Sequence, residues 1–274
     1  MKKFKKIFLF CAAILLGLTI FGCSSEKNLL DEIKERGKIK IGVFIDKFPF
    51  GYIDTNGENQ GYDVFLAKRI AKDLLGDESK LEFVPMEAAN RVSYLLSGKV
   101  DVTLANFTIT KDREKVVNFS KPYMKVRLGI ASPKKFPISN IEELNGKTLI
   151  VNKGTTAEVF FATNHPEIKL LKFDQNTEAF NALANGRGDA MSHDNTILYA
   201  WVNGNDDFSV SVDSFGSESF IAPAVRKSDH DLLSWLDDEI KKLREEKFFY
   251  EDYEKTLYPI YGDLVEADNV VGVY

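Results

Sequence analysis

Cysteine is nearly absent from this chain. The 274 residues hold two, Cys11 and Cys23, both near the N-terminus, so no disulfide framework can be written for the body that follows. The three histidines, His165, His193 and His230, are far apart, and none has a second His or a Cys at a metal-ligand spacing. No metal site is expected. There is no Gly-x-Ser-x-Gly elbow, no Walker loop and no dinucleotide fingerprint, so no cofactor is expected either. Ser192-His193-Asp194 has the residue types of a hydrolytic triad. Neighbours on a strand point to opposite faces, however, and cannot line up as one. A basic excess is also missing. The 36 Lys and Arg are outnumbered by 41 Asp and Glu, which argues against nucleic acid and against a polybasic membrane-surface role.

What is present begins with a basic start and an apolar run. Lys2, Lys3, Lys5 and Lys6 precede Ile7 to Phe21, a run of 15 residues, short of the roughly 20 that span a bilayer core. Ile20-Phe21-Gly22-Cys23 then sets a small residue before a Cys. Residues 1–22 read as a secretory signal, and their end resembles a bacterial lipoprotein signal, in which the Cys is acylated and becomes the new N-terminus. Cys23 is then the lipidation site, with residues 23–28 as tether. Phe21 is bulkier than the residue usual there. An uncleaved anchor or an ordinary signal peptide are the alternatives, and both export the chain. About 240 residues remain, enough to bury roughly 70% of the unfolded surface without disulfides.

One spacing occurs twice. Ser97-Gly98-Lys99-Val100-Asp101-Val102 leads through Thr103-Leu104-Ala105 to Asn106, and Asn185-Gly186-Arg187-Gly188-Asp189-Ala190 leads through Met191-Ser192-His193 to Asp194. Each copy stops a helical stretch at Gly, then gives a basic residue, an Asp, a short run suited to a buried strand, and a polar residue five positions after the Asp. In α/β sheets, ligands collect beyond the carboxyl ends of strands. Two such units suggest two similar lobes that share a crevice. Coincidence is the alternative, because Gly-Lys and Gly-Arg turns before strands are common.

Strands are expected at Ile39 to Ile45, Leu81 to Val84, Val100 to Ala105, Thr148 to Val151 and Asp189 to Ser192. Helices are expected at Leu29 to Glu35, Val64 to Leu75, Val92 to Leu96, Glu158 to Thr163, Thr177 to Ala184, Thr196 to Val202, Leu232 to Leu243 and Phe249 to Tyr258. Leu128 to Ser132, running into Pro133, reads as a crossover. Phe220 to Val225 is apolar and suited to return to the first lobe. Alternating strands and helices imply an α/β fold.

The polar groups at the expected strand ends suit binding better than catalysis. If Thr110 caps a helix, Arg113 lies in its first turn, where the planar guanidinium fits a carboxylate with two parallel hydrogen bonds. Thr155 with Glu158 fits a capping box, which starts a helix whose free amides favour an anion. Asp194 suits an ammonium group. Each also has a plain structural reading, as a capped surface helix or a helix cap. Together they suit an α-amino acid.

At these residues the chain resembles the extracellular solute-binding proteins of bacterial polar-amino-acid ABC importers. The resemblance rests on Pro49-Phe50-Gly51-Tyr52, Gly61-Tyr62-Asp63-Val64, Thr108-Ile109-Thr110-Lys111-Asp112-Arg113, Phe119-Ser120-Lys121-Pro122-Tyr123, Lys153-Gly154-Thr155-Thr156 and Gly188-Asp189-Ala190. Phe65 stands where the family signature usually has a second acid. The resemblance implies a type II, two-lobed periplasmic-binding-protein-like fold with a hinge of two crossovers. It places residues 29–131 plus 221–274 in lobe 1 and 132–220 in lobe 2. It implies that Arg113 clamps the α-carboxylate with help from Asn106, Thr108 and the Thr156 amide, and that Asp194 takes the α-ammonium. It implies a membrane permease as partner, a monomer, and a position on the outer face of the cytoplasmic membrane or its periplasmic side.

Relatives that bind basic amino acids have an acid at the Phe44 position and aromatic rings near Lys47 and Ala88. Relatives that bind aspartate or glutamate have a Lys at the Phe44 position. Phe44 matches neither, because an apolar ring leaves a charged side chain unpaired. A small neutral ligand is therefore expected. Gly42-Val43-Phe44, Glu87-Ala88-Ala89-Asn90-Arg91 and Ser192-His193-Asp194-Asn195-Thr196 look most like the cysteine-binding members. Arg91 reads equally as a ligand contact or a structural Arg. A dehydratase-like enzyme of the same fold, with Glu87 as proton donor, and a surface adhesin are the alternative functions.

Overall fold

The structure, a computed structural model, describes residues 28–273. Cys23 and the signal lie outside the described residues. The described residues form two five-stranded sheets of closely similar plan and a small three-stranded one.

The first sheet has the order β5-β1-β6-β13-β7, from β1 (Ile39–Val43), β5 (Leu81–Pro85), β6 (Val102–Thr103), β7 (Val117–Phe119) and β13 (Ala224–Arg226). The second has the order β10-β9-β11-β8-β12, from β8 (Met124–Pro133), β9 (Thr148–Asn152), β10 (Lys169–Phe173), β11 (Ala190–Asp194) and β12 (Phe208–Ile221). In each, three parallel strands stand together with β1 or β9 as their central strand; the fourth strand in the order runs antiparallel to the third, and the fifth antiparallel to the fourth. A short meander of β2 (Asp46–Lys47), β3 (Gly51–Ile53) and β4 (Asn59–Gln60) follows β1.

Helices cover the sheets. They are α1 (Leu29–Arg36), α2 (Tyr62–Leu75), α3 (Arg91–Leu96), α4 (Lys111–Glu114), α5 (Thr156–Asn164), α6 (Asn176–Ala184), α7 (Asn195–Val202), α8 (His230–Glu245), α9 (Phe248–Thr256) and α10 (Tyr258–Tyr261). α1 begins where Asn28 caps the Asp31 amide and stops where Gly37 turns left-handed at φ 65°. α2 buries Val64, Leu66, Ala67, Ile70 and Ala71 against the first sheet. Each fully buried Ile or Leu of this kind contributes about 1.5–3 kcal/mol. Phe65 has its own explanation: its ring stacks on Phe248 of α9 at 5.2 Å, with Lys255 over it.

The repeated spacing is a repeated structure. After α3, the Gly98 amide bonds to Leu95 O and the Lys99 amide to Tyr94 O; after α6, the Gly186 amide bonds to Leu183 O and the Arg187 amide to Ala182 O. Both are the same helix-ending motif, with Gly98 and Gly186 at φ 70° and 68°. Each Asp then accepts an amide at the start of the central strand: Asp101 from Lys40 at 2.8 Å, Asp189 from Thr148 at 2.7 Å. Coincidence does not produce matching bonds at matching positions.

The chain passes between the sheets at two adjacent strands. Met124, Lys125 and Val126 at the start of β8 pair with Ile221, Phe220 and Ser219 at the end of β12. β8 therefore enters the second sheet several residues before position 131. After Thr256 the chain also touches the second lobe: Tyr261 donates to Thr196 O, and Asn203 donates to Ile260 O.

Candidate functional site

The carboxyl ends of β1, β6, β9 and β11 face one another across the gap between the sheets. Phe44, Asn106, Gly154 and Asp194 lie at or just beyond those ends, where side chains and free amides converge. The gap is closed. Arg91 and Arg113 from the first lobe both donate to Gly154 O of the second, at 2.9 and 2.8 Å. Asp46 in β2 accepts the amide and side-chain nitrogen of Asn176, at 2.6 and 3.1 Å, and so caps the start of α6 from across the gap.

Thr110 caps α4 by accepting the Arg113 amide at 3.3 Å. That fixes the Arg113 backbone, and its side chain folds over the Phe107 ring at 4.7 Å and donates to Thr108 O at 2.6 Å. Burial pulls its pKa down to about 10, against the attraction of Asp194. Arg91 stacks near the same ring, at 4.6 Å. Its guanidinium donates to four backbone carbonyls, of Ala88, Ala105, Asn106 and Gly154. Thr156 opens α5 behind its cap Thr155. Glu158 answers by accepting the Gly154 amide rather than the Thr155 amide that a capping box predicts. Arg113 and Thr156 also line a cavity of about 540 Å³ with Phe160 and Phe215.

Asn106 has φ 42°, a left-handed conformation that Asn adopts more readily than most residues. Its amide donates to Asp63 at 2.8 Å, and Asp63 also accepts the Tyr123 hydroxyl at 2.6 Å. Burial drives the Asp63 carboxyl up to about 7, against the pull of Tyr123 and Lys47. Asp194, 4% exposed, ends β11. Burial raises its pKa, but the ammonium of Lys47, with His193 and Arg91, outweighs that and holds it below the usual value. His193 is pulled down to about 3 by burial and by Lys47, and its Nδ1 accepts the Asp194 amide. Ser192 donates to Gly129 O, so the three residues make no triad.

Lys47 is the residue that sequence reasoning missed. It is 2% exposed, and its Nζ bonds to Asn106 Oδ1 at 2.7 Å and to Asp194 Oδ2 at 3.4 Å. The Phe44 and Phe50 rings lie 5.3 and 5.7 Å from it. A lysine set between aromatic residues in a short apolar stretch was the available signal. Burial lowers its pKa, and Asp194 opposes the shift. Phe44 is buried, but its ring is not faced by apolar groups alone, because Lys47 and Arg91 lie 5.3 and 5.9 Å from it. Asp63, part of the Gly61-Tyr62-Asp63-Val64 motif, holds the Asn106 amide, a contact with no local sequence signal because the two residues stand 43 positions apart. Glu87 lines a separate groove with Ile45, Asp46 and Gln175. Among the described residues, no group of His, Cys, Asp and Glu is placed to hold a metal ion.

Comparison with known proteins places this geometry. The family model of bacterial extracellular solute-binding proteins, family 3, matches residues 39–257. The chain is 34% identical over 233 residues to the ABC transporter glutamine-binding protein GlnH of Bacillus subtilis, covering 84% of this chain and 85% of that one. Two solved structures are each 55% identical: the solute receptor for L-cysteine of Neisseria gonorrhoeae (TM-score 0.87, 88% of this chain and 98% of that one) and the cysteine-binding protein of Campylobacter jejuni (TM-score 0.88, 89% and 99%). The architecture is the two-lobed periplasmic-binding-protein fold.

Proposed function

We propose, from the premise that this chain belongs to the bacterial extracellular solute-binding proteins of family 3, that it captures L-cysteine outside the cytoplasm and delivers it to an amino-acid ABC importer. The observation that carries the reading is the convergence of Arg113 and Asp194, opposite charges from opposite lobes, on one buried gap. A free amino acid in a closed cleft loses most of its hydration, so both its charged ends need partners. Arg113, with Thr108, Asn106 and the amide of Thr156, takes the carboxylate, and Asp194 takes the ammonium. Arg91 and Phe44 bound the side chain. The 55% identity to two cysteine-binding proteins supports cysteine over other amino acids.

Lobe closure on the ligand is a hinge motion at the paired ends of β8 and β12. The expected boundary at residues 131/132 falls inside β8, whose residues 128–131 already pair with β11 in the second sheet, so the two moving bodies part nearer the start of β8 and the end of β12. The closed form docks on the permease, and acylated Cys23 keeps the protein at the membrane. Cys23→Ala is expected to give a soluble or unprocessed precursor, and unchanged lipid labelling of that variant would remove the assignment. The enzymatic alternative draws no support from Glu87, which stands apart from the cleft charges.

A calorimetric screen of all twenty amino acids under reducing conditions tests the ligand. Cysteine is expected to bind with a Kd on the order of micromolar or tighter, about −8 kcal/mol. Tighter binding, by tenfold or more, of arginine, lysine, aspartate or glutamate would overturn the assignment of cysteine.

A further inference from the structure

The charges in the closed gap do not balance. Lys47, Arg91 and Arg113 are all buried or nearly so, and Asp194 is the carboxylate within ion-pair distance of Lys47. Among the described residues, neither Arg91 nor Arg113 has a carboxylate at ion-pair distance; their hydrogen bonds go to backbone carbonyls. Asp63 lies behind Asn106, where it accepts the Asn106 amide and the Tyr123 hydroxyl; even counted as a full negative charge beside Asp194, it leaves the three cations one in excess.

An amino acid bound as described above brings no net charge. Its carboxylate goes to Arg113 and its ammonium goes to Asp194. The ammonium then takes from Lys47 the carboxylate that Lys47 now holds. Lys47 is left with Asn106 Oδ1, a neutral acceptor, beside the fixed cation of Arg91. A buried ammonium without a counter-ion is strongly disfavoured. An anionic group on the ligand side chain restores the balance.

We propose that Lys47, with Arg91 behind it, forms a cationic subsite that takes the ligand side chain as an anion, so that cysteine is held as its thiolate. The inference rests on the amino-acid reading of the cleft. A free thiol ionises near pH 8.5, and a neighbouring Lys or Arg brings that into or below the neutral range. A serine hydroxyl does not ionise there, which separates two side chains of nearly equal size. The S–H bond breaks heterolytically, the proton leaves to solvent, and the thiolate meets Lys47 Nζ without any covalent bond to sulfur. The other charged or titratable groups facing Lys47 are Asp194 and His193 on β11, Asp63 on α2 and Arg91 on α3. His193 is uncharged at neutral pH and adds no cation.

The test is the ultraviolet thiolate band, read on mixing purified protein with cysteine at pH 7, with calorimetry in buffers of different ionisation enthalpy. The expected result is a thiolate band at one equivalent, release of close to one proton, and an affinity that rises by up to about tenfold per pH unit between the lowered pKa of the bound thiol and that of the free thiol. Serine is expected to bind at least about 100-fold more weakly. Lys47→Met is expected to remove the band and most of the cysteine affinity. The wild-type band decides the matter even if that variant does not fold. Cysteine bound with no thiolate band overturns the proposal, and a proton released without the band would come from Lys47 and overturn it too. If cysteine does not bind, the cysteine assignment fails separately. In that case binding of aspartate or glutamate that depends on Lys47 upholds the cationic subsite, and a neutral amino acid as the tightest ligand, or none at all, overturns it.

Discussion

In the first lobe the repeated unit ends on Asn106; in the second it ends on Asp194. Up to that point the two copies make the same bonds: the same helix stop, a left-handed Gly, and an Asp that holds the first amides of the central strand. Their surroundings then diverge. Asp101 is buried and paired with Arg36, and burial raises its pKa against the Lys40 amide and Arg36. Asp189 is exposed. Lys47 reaches both ends at once, Asn106 in its own lobe and Asp194 in the other. The backbone plan is thus common to both lobes, while at the end of the repeated unit only the second copy places a charge, Asp194, opposite the neutral Asn106 of the first.

Substitutions can break this comparison at several points. The largest effect is expected at Gly154. It has φ 73°, and a Cβ there would lie 2.6 Å from Ala89 Cα of the other lobe. Gly154→Ala is expected to weaken ligand binding by about 100-fold or more, from overpacking of the closed state. Gly186→Ala is the control: the same backbone conformation at φ 68° with nothing near the added atom. It should cost about 1 kcal/mol of stability and leave affinity unchanged. Equal affinity losses in both variants, by calorimetry, would show that closure is not what Gly154 permits.

Arg113→Ala and Asp194→Ala come next. Each strands a charge of the ligand, so each is expected to weaken binding by about 2–5 kcal/mol; the unliganded melting temperature should change little for Arg113→Ala and fall for Asp194→Ala, which also leaves Lys47 without its counter-ion. Undiminished affinity in both would remove the clamp. Phe44→Lys adds a third cation beside Lys47 and Arg91. It should weaken cysteine and improve aspartate or glutamate relative to it, while lowering stability, because a buried charge without a partner is costly. A binding series in which cysteine keeps its lead over both acids would contradict this.

The smallest effects concern the two repeat aspartates. Asp101→Ala should destabilise by about 1.5–3 kcal/mol, since it leaves the Lys40 amide and Arg36 without their shared acceptor. Asp189→Ala, at an exposed site, should cost about 1 kcal/mol or less. Chemical unfolding that gives the same loss for both would mean that burial does not separate the two copies.

Much of this fold is legible along the chain because its signals are local. α2, α6 and α8 carry apolar faces at helical spacing, and Gly37, Gly98 and Gly186 mark stops that need only their own neighbours. β12 is not legible in the same way. Its Ser, Gly, Asp and Glu residues between Phe208 and Ile221 give weak strand propensity, and the strand exists because β8 supplies the hydrogen-bond partner, with register shifts along the pair. The meander of β2 to β4 is too short for any period to show.

The site divides along the same line. Along the chain, the repeated unit marks two lobes, and a cap and a strand end mark Arg113 and Asp194 as candidates. That Lys47 faces Asp194, that Arg91 spends its donors on backbone carbonyls, and that Gly154 O joins both arginines across the gap follows from contacts between segments far apart in the chain. A cap or a periodic face depends on residues three or four apart. The state of a buried charge depends on which distant groups share its low-dielectric surroundings, and Lys47 and Asp194 stand 147 positions apart.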